Sequence, residues 1–193
     1  MIIDYNNDIS EKHKLAIAKI LQEAFWDKLK WYFKKVSKDK ALILLEKAIT
    51  YNMGFYYIEN DNVLGAALLS KHDSKHLNIG KDIIKQIGFL RGLLLKVSYS
   101  ALHKTKYELW LQMIAVSPSA RGKGIGRNMM THLYQVAKNE NAKEIALDVI
   151  DSNPKAKKLY EKEGFCVTKY IKTKFFTRGM GFDGIFVMRK KCN

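Results

Sequence analysis

Val116-Ser117-Pro118-Ser119-Ala120-Arg121-Gly122-Lys123-Gly124-Ile125-Gly126-Arg127 is the stretch on which the reading of this chain turns. The run Glu108–Val116 before it is apolar and mostly alternating, which predicts a long strand. After it, Ile125, Met129, Leu133 and Val136 recur at spacings of four, four and three, which predicts a helix to about Asn139. Three alternating glycines lie where strand becomes helix. A helix N-terminus carries unpaired N–H groups and the positive end of the dipole. Glycine removes the Cβ atoms that would hold an anion away from those groups. Arg121, Lys123 and Arg127 add positive charge at the same point. These features together predict a phosphate or pyrophosphate cradle.

Upstream, Ile2–Tyr5 is a short strand candidate, and Ser10 can cap a helix to about Trp26 with Ala18, Leu21, Ala24 and Phe25 on one face. A second helix fits Lys38–Tyr51. Phe55–Glu59 and Val63–Leu69 flank Asn60-Asp61-Asn62 and predict a β-hairpin. From residue 70 to 106, Ile83, Ile84, Ile87, Leu90, Leu93, Leu94 and Val97 predict one or two amphipathic helices, broken near Gly88 or Gly92. Downstream, Glu144–Val149 is a buried strand, and Asn153-Pro154 opens a short helix that ends at Gly164. Phe165–Phe176 and Phe182–Arg189 close the chain as an antiparallel pair. The order is that of a single mixed α/β domain over residues 1–193, with an extra helical segment at about 70–106.

A Walker-type loop needs Ser or Thr after its lysine, but Gly124 follows Lys123. A dinucleotide fingerprint needs a third glycine where Arg127 stands. Asp148 lies near the distance of a ribose-binding acid, but the first strands are wrongly placed for that fold. The stretch resembles instead the acetyl-CoA loop of the GNAT superfamily of N-acetyltransferases, Arg/Gln-x-x-Gly-x-Gly/Ala after a strand ending in valine. Arg121, Gly124 and Gly126 fall on its positions. A second stretch, Asn153 to Phe165 (with Ala156, Leu159, Tyr160 and Gly164), resembles the family's later hallmark, Asn-x-x-Ala-x-x-Leu-Tyr-x-x-x-Gly-Phe. The two resemblances cover residues 107–170.

The resemblance implies a mixed, mostly antiparallel central sheet of about seven strands flanked by helices. It implies an N-acetyltransferase that uses acetyl-CoA as co-substrate, needs no metal, and acts on a primary amine of a small molecule or peptide in a ternary complex. Backbone groups of Ile114, Ala115 and Val116 would pair with the pantetheine arm. Backbone N–H groups of Gly122, Lys123, Gly124, Ile125, Gly126 and Arg127 would hold the pyrophosphate, with Arg121 and Arg127 as side-chain contacts. Asn153 would touch the pantetheine side. Tyr160 would stand near the sulfur as general acid, since a phenol can protonate a departing thiolate. A base must also take the amine's proton. In several relatives it is a glutamate on the strand before the loop; Trp110 and Gln112 stand near that position here, and neither is a base. Glu108, one step further out on the same face, is the candidate.

The chain has 193 residues, 47% apolar and 27% charged, which excludes collagen-like and disordered classes. Its 34 basic and 19 acidic residues give +15. Only five of the basic residues are arginines, so 34 − 5 = 29 are lysines. Phosphate and base readout favours arginine's bidentate fork, so nucleic acid is not the expected partner. The alternative to an enzyme is a non-catalytic module that binds CoA or nucleic acid through its basic surface. The charge balance favours an acidic or neutral acceptor over a polycation. Neither a secretory leader nor a membrane span is evident, and a cytoplasmic location is expected. Cys166 is expected as a small core residue. His72, Asp73 and His76 have a metal-like spacing but no third ligand. The resemblance implies that the aromatic group Phe25, Trp26, Trp31, Tyr32 and Phe33 borders the acceptor pocket, with plain core packing as the alternative. The 70–106 segment is expected to cover that pocket, and the closing hairpin is exposed enough to pair with a second copy as a homodimer.

Overall fold

Seven strands form one sheet, in the order β1-β2-β3-β4-β5-β7-β6, in the computed structural model, which describes residues 2–3, 9–71, 77–102, 108–173, 177 and 181–192. The elements in chain order are β1 (Ile2–Ile3), α1 (Glu11–Leu29), α2 (Lys38–Ala48), β2 (Gly54–Glu59), β3 (Asn62–Ser70), α3 (Lys81–Ile87) and α4 (Phe89–Leu102). They continue as β4 (Leu109–Val116), α5 (Ile125–Asn139), β5 (Glu144–Ile150), α6 (Pro154–Lys162), β6 (Cys166–Lys172) and β7 (Gly184–Lys191). All neighbours are antiparallel except β4 and β5, which run parallel.

Local chemistry sets most boundaries. Ser10 accepts from the His13 N–H at 3.3 Å and Ser37 from the Lys40 N–H at 3.2 Å, which caps α1 and α2. Asn60 and Asp61 both take positive φ, 48° and 60°, as a two-residue hairpin turn between β2 and β3 demands. Gly88 breaks the 77–102 segment with φ +94°. Gly92 does not break it. It lies inside α4, where a Cβ would sit 2.6 Å from Ile84 Cα, so it allows α3 and α4 to approach closely.

Two layers of helix cover the sheet. On one face, Ile125, Met129, Leu133 and Val136 of α5 are buried with Leu109, Leu111, Ile145, Leu147 and Val149. On the other, Ile17, Leu21 and Leu45 of α1 and α2 are buried with Ala66, Leu68, Met113 and Ala115. Met129 and Leu133 are fully buried, each contributing about 1.5–3 kcal/mol of apolar transfer.

β4 changes sides partway along. Leu109 and Leu111 face α5, but Met113 and Ala115 face α1, although strict alternation would keep all four together. The register explains it. Leu68 pairs with Met113 and Leu69 with Leu111, so Gln112 is an extra residue, a β-bulge that reverses the parity of the strand.

Several expectations change. α3 and α4 do not cover the cleft described below. Ile83 and Ile87 are buried instead with Ala41, Leu44 and Ala48 of α2. Cys166 is exposed, because β6 is the sheet's edge, and the adjoining Phe165 takes the core position. His72, Asp73 and His76 lie outside the described residues, as do parts of the expected strands at the two ends.

Candidate active site

β4 and β5 are joined only at their beginnings, by Leu109–Ile145, Trp110–Ala146 and Leu111–Leu147. Beyond the Gln112 bulge β4 stays with β3 up to the Gly65–Val116 pair, while β5 stays with β7 up to Ile150–Ile185. The two strands therefore part, and the edges at 112–116 and 148–150 are left without each other. A cleft of about 700 Å³ fills the gap. Its walls include Ile114, Ala115 and Val116 from β4, Asp148, Val149 and Ile150 from β5, Asn153, Ala156 and Tyr160 from α6, and Phe25 and Lys28 from α1. Contributions from both helix layers make it an opening through the sheet.

At one end the chain turns from β4 into α5. The Ser117 N–H donates to the Leu64 carbonyl at 2.8 Å, and Ala120 and Ile125 are buried as anchors on either side of the turn. Gly122 and Gly124 take φ +78° and +77°, and nothing lies within 4 Å of where a Cβ would stand on either. Gly124 is the N-cap of α5, and no side chain caps it. The N–H groups of the first turn thus face open space at the positive end of the helix. Arg121 reaches the cleft, while Lys123 and Arg127 are exposed beside the turn. This bare cradle fits a diphosphate.

Tyr160 sits on the cleft wall, edge-on to Phe165 with ring centroids 5.9 Å apart. Burial raises its phenol to about 12, so the hydroxyl keeps its proton throughout the neutral range. Asn153 Oδ1 accepts from the Ala156 N–H at 3.1 Å, which caps α6.

The structure does not bring Glu108 to this place. It precedes β4 at the end away from the glycine turn, roughly 25 Å along the strand from Val116 at ~3.3 Å per residue. Its carboxylate accepts from the Lys143 N–H. The base expected there is absent from the cleft, whose lining acids are Asp148 and Asp27. Asp148 is half-buried as a residue, but its carboxylate is almost enclosed. Its Oδ1 is buried with no hydrogen-bond partner among the described residues. Burial raises its carboxyl to about 7, against the opposing pull of Lys28. The sequence carried a signal for it: Asp148 interrupts an apolar strand, Ile145-Ala146-Leu147 before and Val149-Ile150 after. Lys28 was likewise not singled out. α1 runs to Leu29, a turn's length past the expected end near Trp26, and that turn carries Lys28 into the cleft.

The family model of the GNAT acetyltransferases matches residues 19–165. Streptothricin acetyltransferase of Streptomyces lavendulae is 39% identical over 69 residues, 36% of this chain and 35% of that protein, so the chain aligns with about a third of that relative. The fold is shared with an N-acetyltransferase from Staphylococcus aureus Mu50 (TM-score 0.64, 20% identity, 98% of this chain and 100% of that one). It is shared also with the ribosomal-protein-S18-alanine N-acetyltransferase from Escherichia coli (TM-score 0.58, 17% identity, 100% of this chain and 94% of that one). A parted parallel strand pair, a glycine turn at its mouth and a family model spanning both converge: the chain belongs to the GNAT family of acetyltransferases.

Proposed function

We propose that the enzyme transfers an acetyl group from acetyl-CoA to a primary amine of a small molecule or peptide, with both substrates in the cleft at once. The observation that carries this reading is the parting of β4 from β5, which exposes a strand edge to an extended arm and opens a passage to the α1 face. Acetyl-CoA would supply the activated thioester. Backbone groups of Ile114, Ala115 and Val116 would hold its arm as an added strand, and the turn from Gly122 to Arg127 would hold its diphosphate, with Arg121 beside it. The Asn153 amide would steady the arm from the α6 side.

Asp148 is the proposed base in place of Glu108. An acceptor amine is mostly protonated at neutral pH and must lose a proton to react. A carboxylate titrating at about 7, with one oxygen unpartnered, is matched to that task. Tyr160 would donate its proton at the sulfur as the thiolate leaves. The match to streptothricin acetyltransferase supports a small-molecule amine, and Asp27 at the cleft adds a second carboxylate to draw an ammonium in.

The test is calorimetry with acetyl-CoA followed by thiol release with a panel of amines. Binding with turnover of at least one amine supports the reading. Absence of any CoA binding would overturn it.

A further inference from the structure

Lys28 has no part in the transfer described above, yet it stands in the same cleft. It belongs to the last turn of α1 and lines the opening with Phe25, Ala115, Asp148 and Tyr160. Its ammonium lies 5.4 Å from the centre of the Phe25 ring. Lys28 is half-buried as a residue, and its ammonium is enclosed. Asp148 is the charge that acts on it, and Asp148 Oδ1 is buried without a hydrogen-bond partner among the described residues.

An acceptor must bring an amine into the cleft that holds the Asp148 carboxylate. Lys28 lines that same cleft. Enclosure disfavours its ammonium, and the neutral amine is the nucleophilic form.

We propose that Lys28 is a self-acetylation site: the chain's own amine takes the acceptor position and receives the acetyl group of a bound acetyl thioester. The inference rests on the reading of the cleft given above. A bond forms between Lys28 Nζ and the acetyl carbon as the carbon–sulfur bond breaks. The amine proton passes to the Asp148 carboxylate, and the departing thiolate takes the Tyr160 proton, which solvent restores. The products are a neutral amide on residue 28 and free CoA thiol, and no oxidant or metal is consumed. The amide no longer balances Asp148 and adds bulk at the acceptor end, so the modified chain is self-blocked. An external amine and Lys28 compete for one place.

The experiment incubates the full chain with acetyl-CoA and no acceptor, then maps acetyl groups by peptide mass spectrometry. One acetyl group per chain is expected, at residue 28, with a half-time unchanged on dilution of the protein, as a reaction within one chain requires. An added amine substrate slows it, Asp148→Asn slows it, and Lys28→Arg removes it while leaving the background on other lysines as it was. Acetyl groups spread over surface lysines with residue 28 not favoured, or a rate that rises with protein concentration, would overturn the inference. If CoA binds and an external amine is acetylated while Lys28 stays unmodified, the inference falls and the transferase reading stands. If acetyl-CoA is not bound, both fall.

Discussion

Asp148→Asn keeps the shape of the side chain and removes its charge. In the folded chain burial holds this carboxyl at about 7 against an ordinary 3.8. A difference of about 3 pH units at ~1.36 kcal/mol each is about 4 kcal/mol, the upper bound on what enclosing the carboxylate costs. The residue as a whole is only half-buried, so roughly 2–4 kcal/mol is the expected measured value. The sign follows from proton counts. Between about pH 4 and pH 7 the folded chain holds a proton at Asp148 that the unfolded chain has released. The stabilising contribution is therefore complete below pH 4, falls as pH rises through that window, and is gone above it. Denaturant melts across the window should show wild type losing this amount relative to Asp148→Asn, whose curve is flatter. Activity moves the other way, because the base must be ionised. With an acceptor amine that titrates well above the window, kcat/KM of wild type should rise through about pH 7. The variant should lose the inflection near pH 7, its rate following only the neutral fraction of the amine, and roughly 10²–10⁴ of the rate. A variant that keeps the inflection near pH 7, or stability curves that run parallel from pH 4 to 7, would refute the assignment.

Tyr160→Phe should lower kcat by about 10²-fold while acetyl-CoA affinity by calorimetry stays constant, since only the donated proton is removed. Gly124→Ala places a Cβ at φ +77° in open space, so it should cost about 1–2 kcal/mol in a denaturant melt through backbone strain alone. The same variant should raise the Kd for CoA, because the Cβ enters the space proposed for the diphosphate. Leu133→Ala empties the interface of α5 with the sheet and should cost about 2–5 kcal/mol by the same melt. Gly54→Ala puts a Cβ 2.4 Å from the Ala67 carbonyl, a backbone atom that cannot move aside, and should destabilise β2 against β3 more than Leu69→Ala weakens the core.

The glycine turn, the Asn153 cap and the helix spacing of Ile125, Met129, Leu133 and Val136 were legible because their information is local, each written in neighbouring residues. What was not legible depends on partners far away in sequence. Ile83 and Ile87 face α2 and not the cleft, and an amphipathic pattern names a buried face without saying what covers it. Cys166 looked internal because Phe165 beside it is apolar. Only the strand order shows that β6 is an edge, where Lys169 and Lys172 keep its unpaired side in water.

The base shows most sharply how a distant pairing redirects local reasoning. Counting back along β4 assumes strict alternation, and by that count Trp110 and Gln112 fall beside the reacting end and Glu108 behind them. The count fails at Gln112, where the register against Leu68 and Leu69 slips by one. That slip turns Met113 and Ala115 to the α1 face and coincides with the point where β5 departs. The bulge thus opens the cleft and, by the same step, breaks the face that Glu108 was assumed to share with it. β5 keeps its alternation: Ile145, Leu147 and Val149 pack against the α5 side, and Asp148, between them, points to α1 and Lys28. A carboxylate on the unbroken strand can stand at the opening because that strand alone keeps one parity from the sheet's interior to its parted edge.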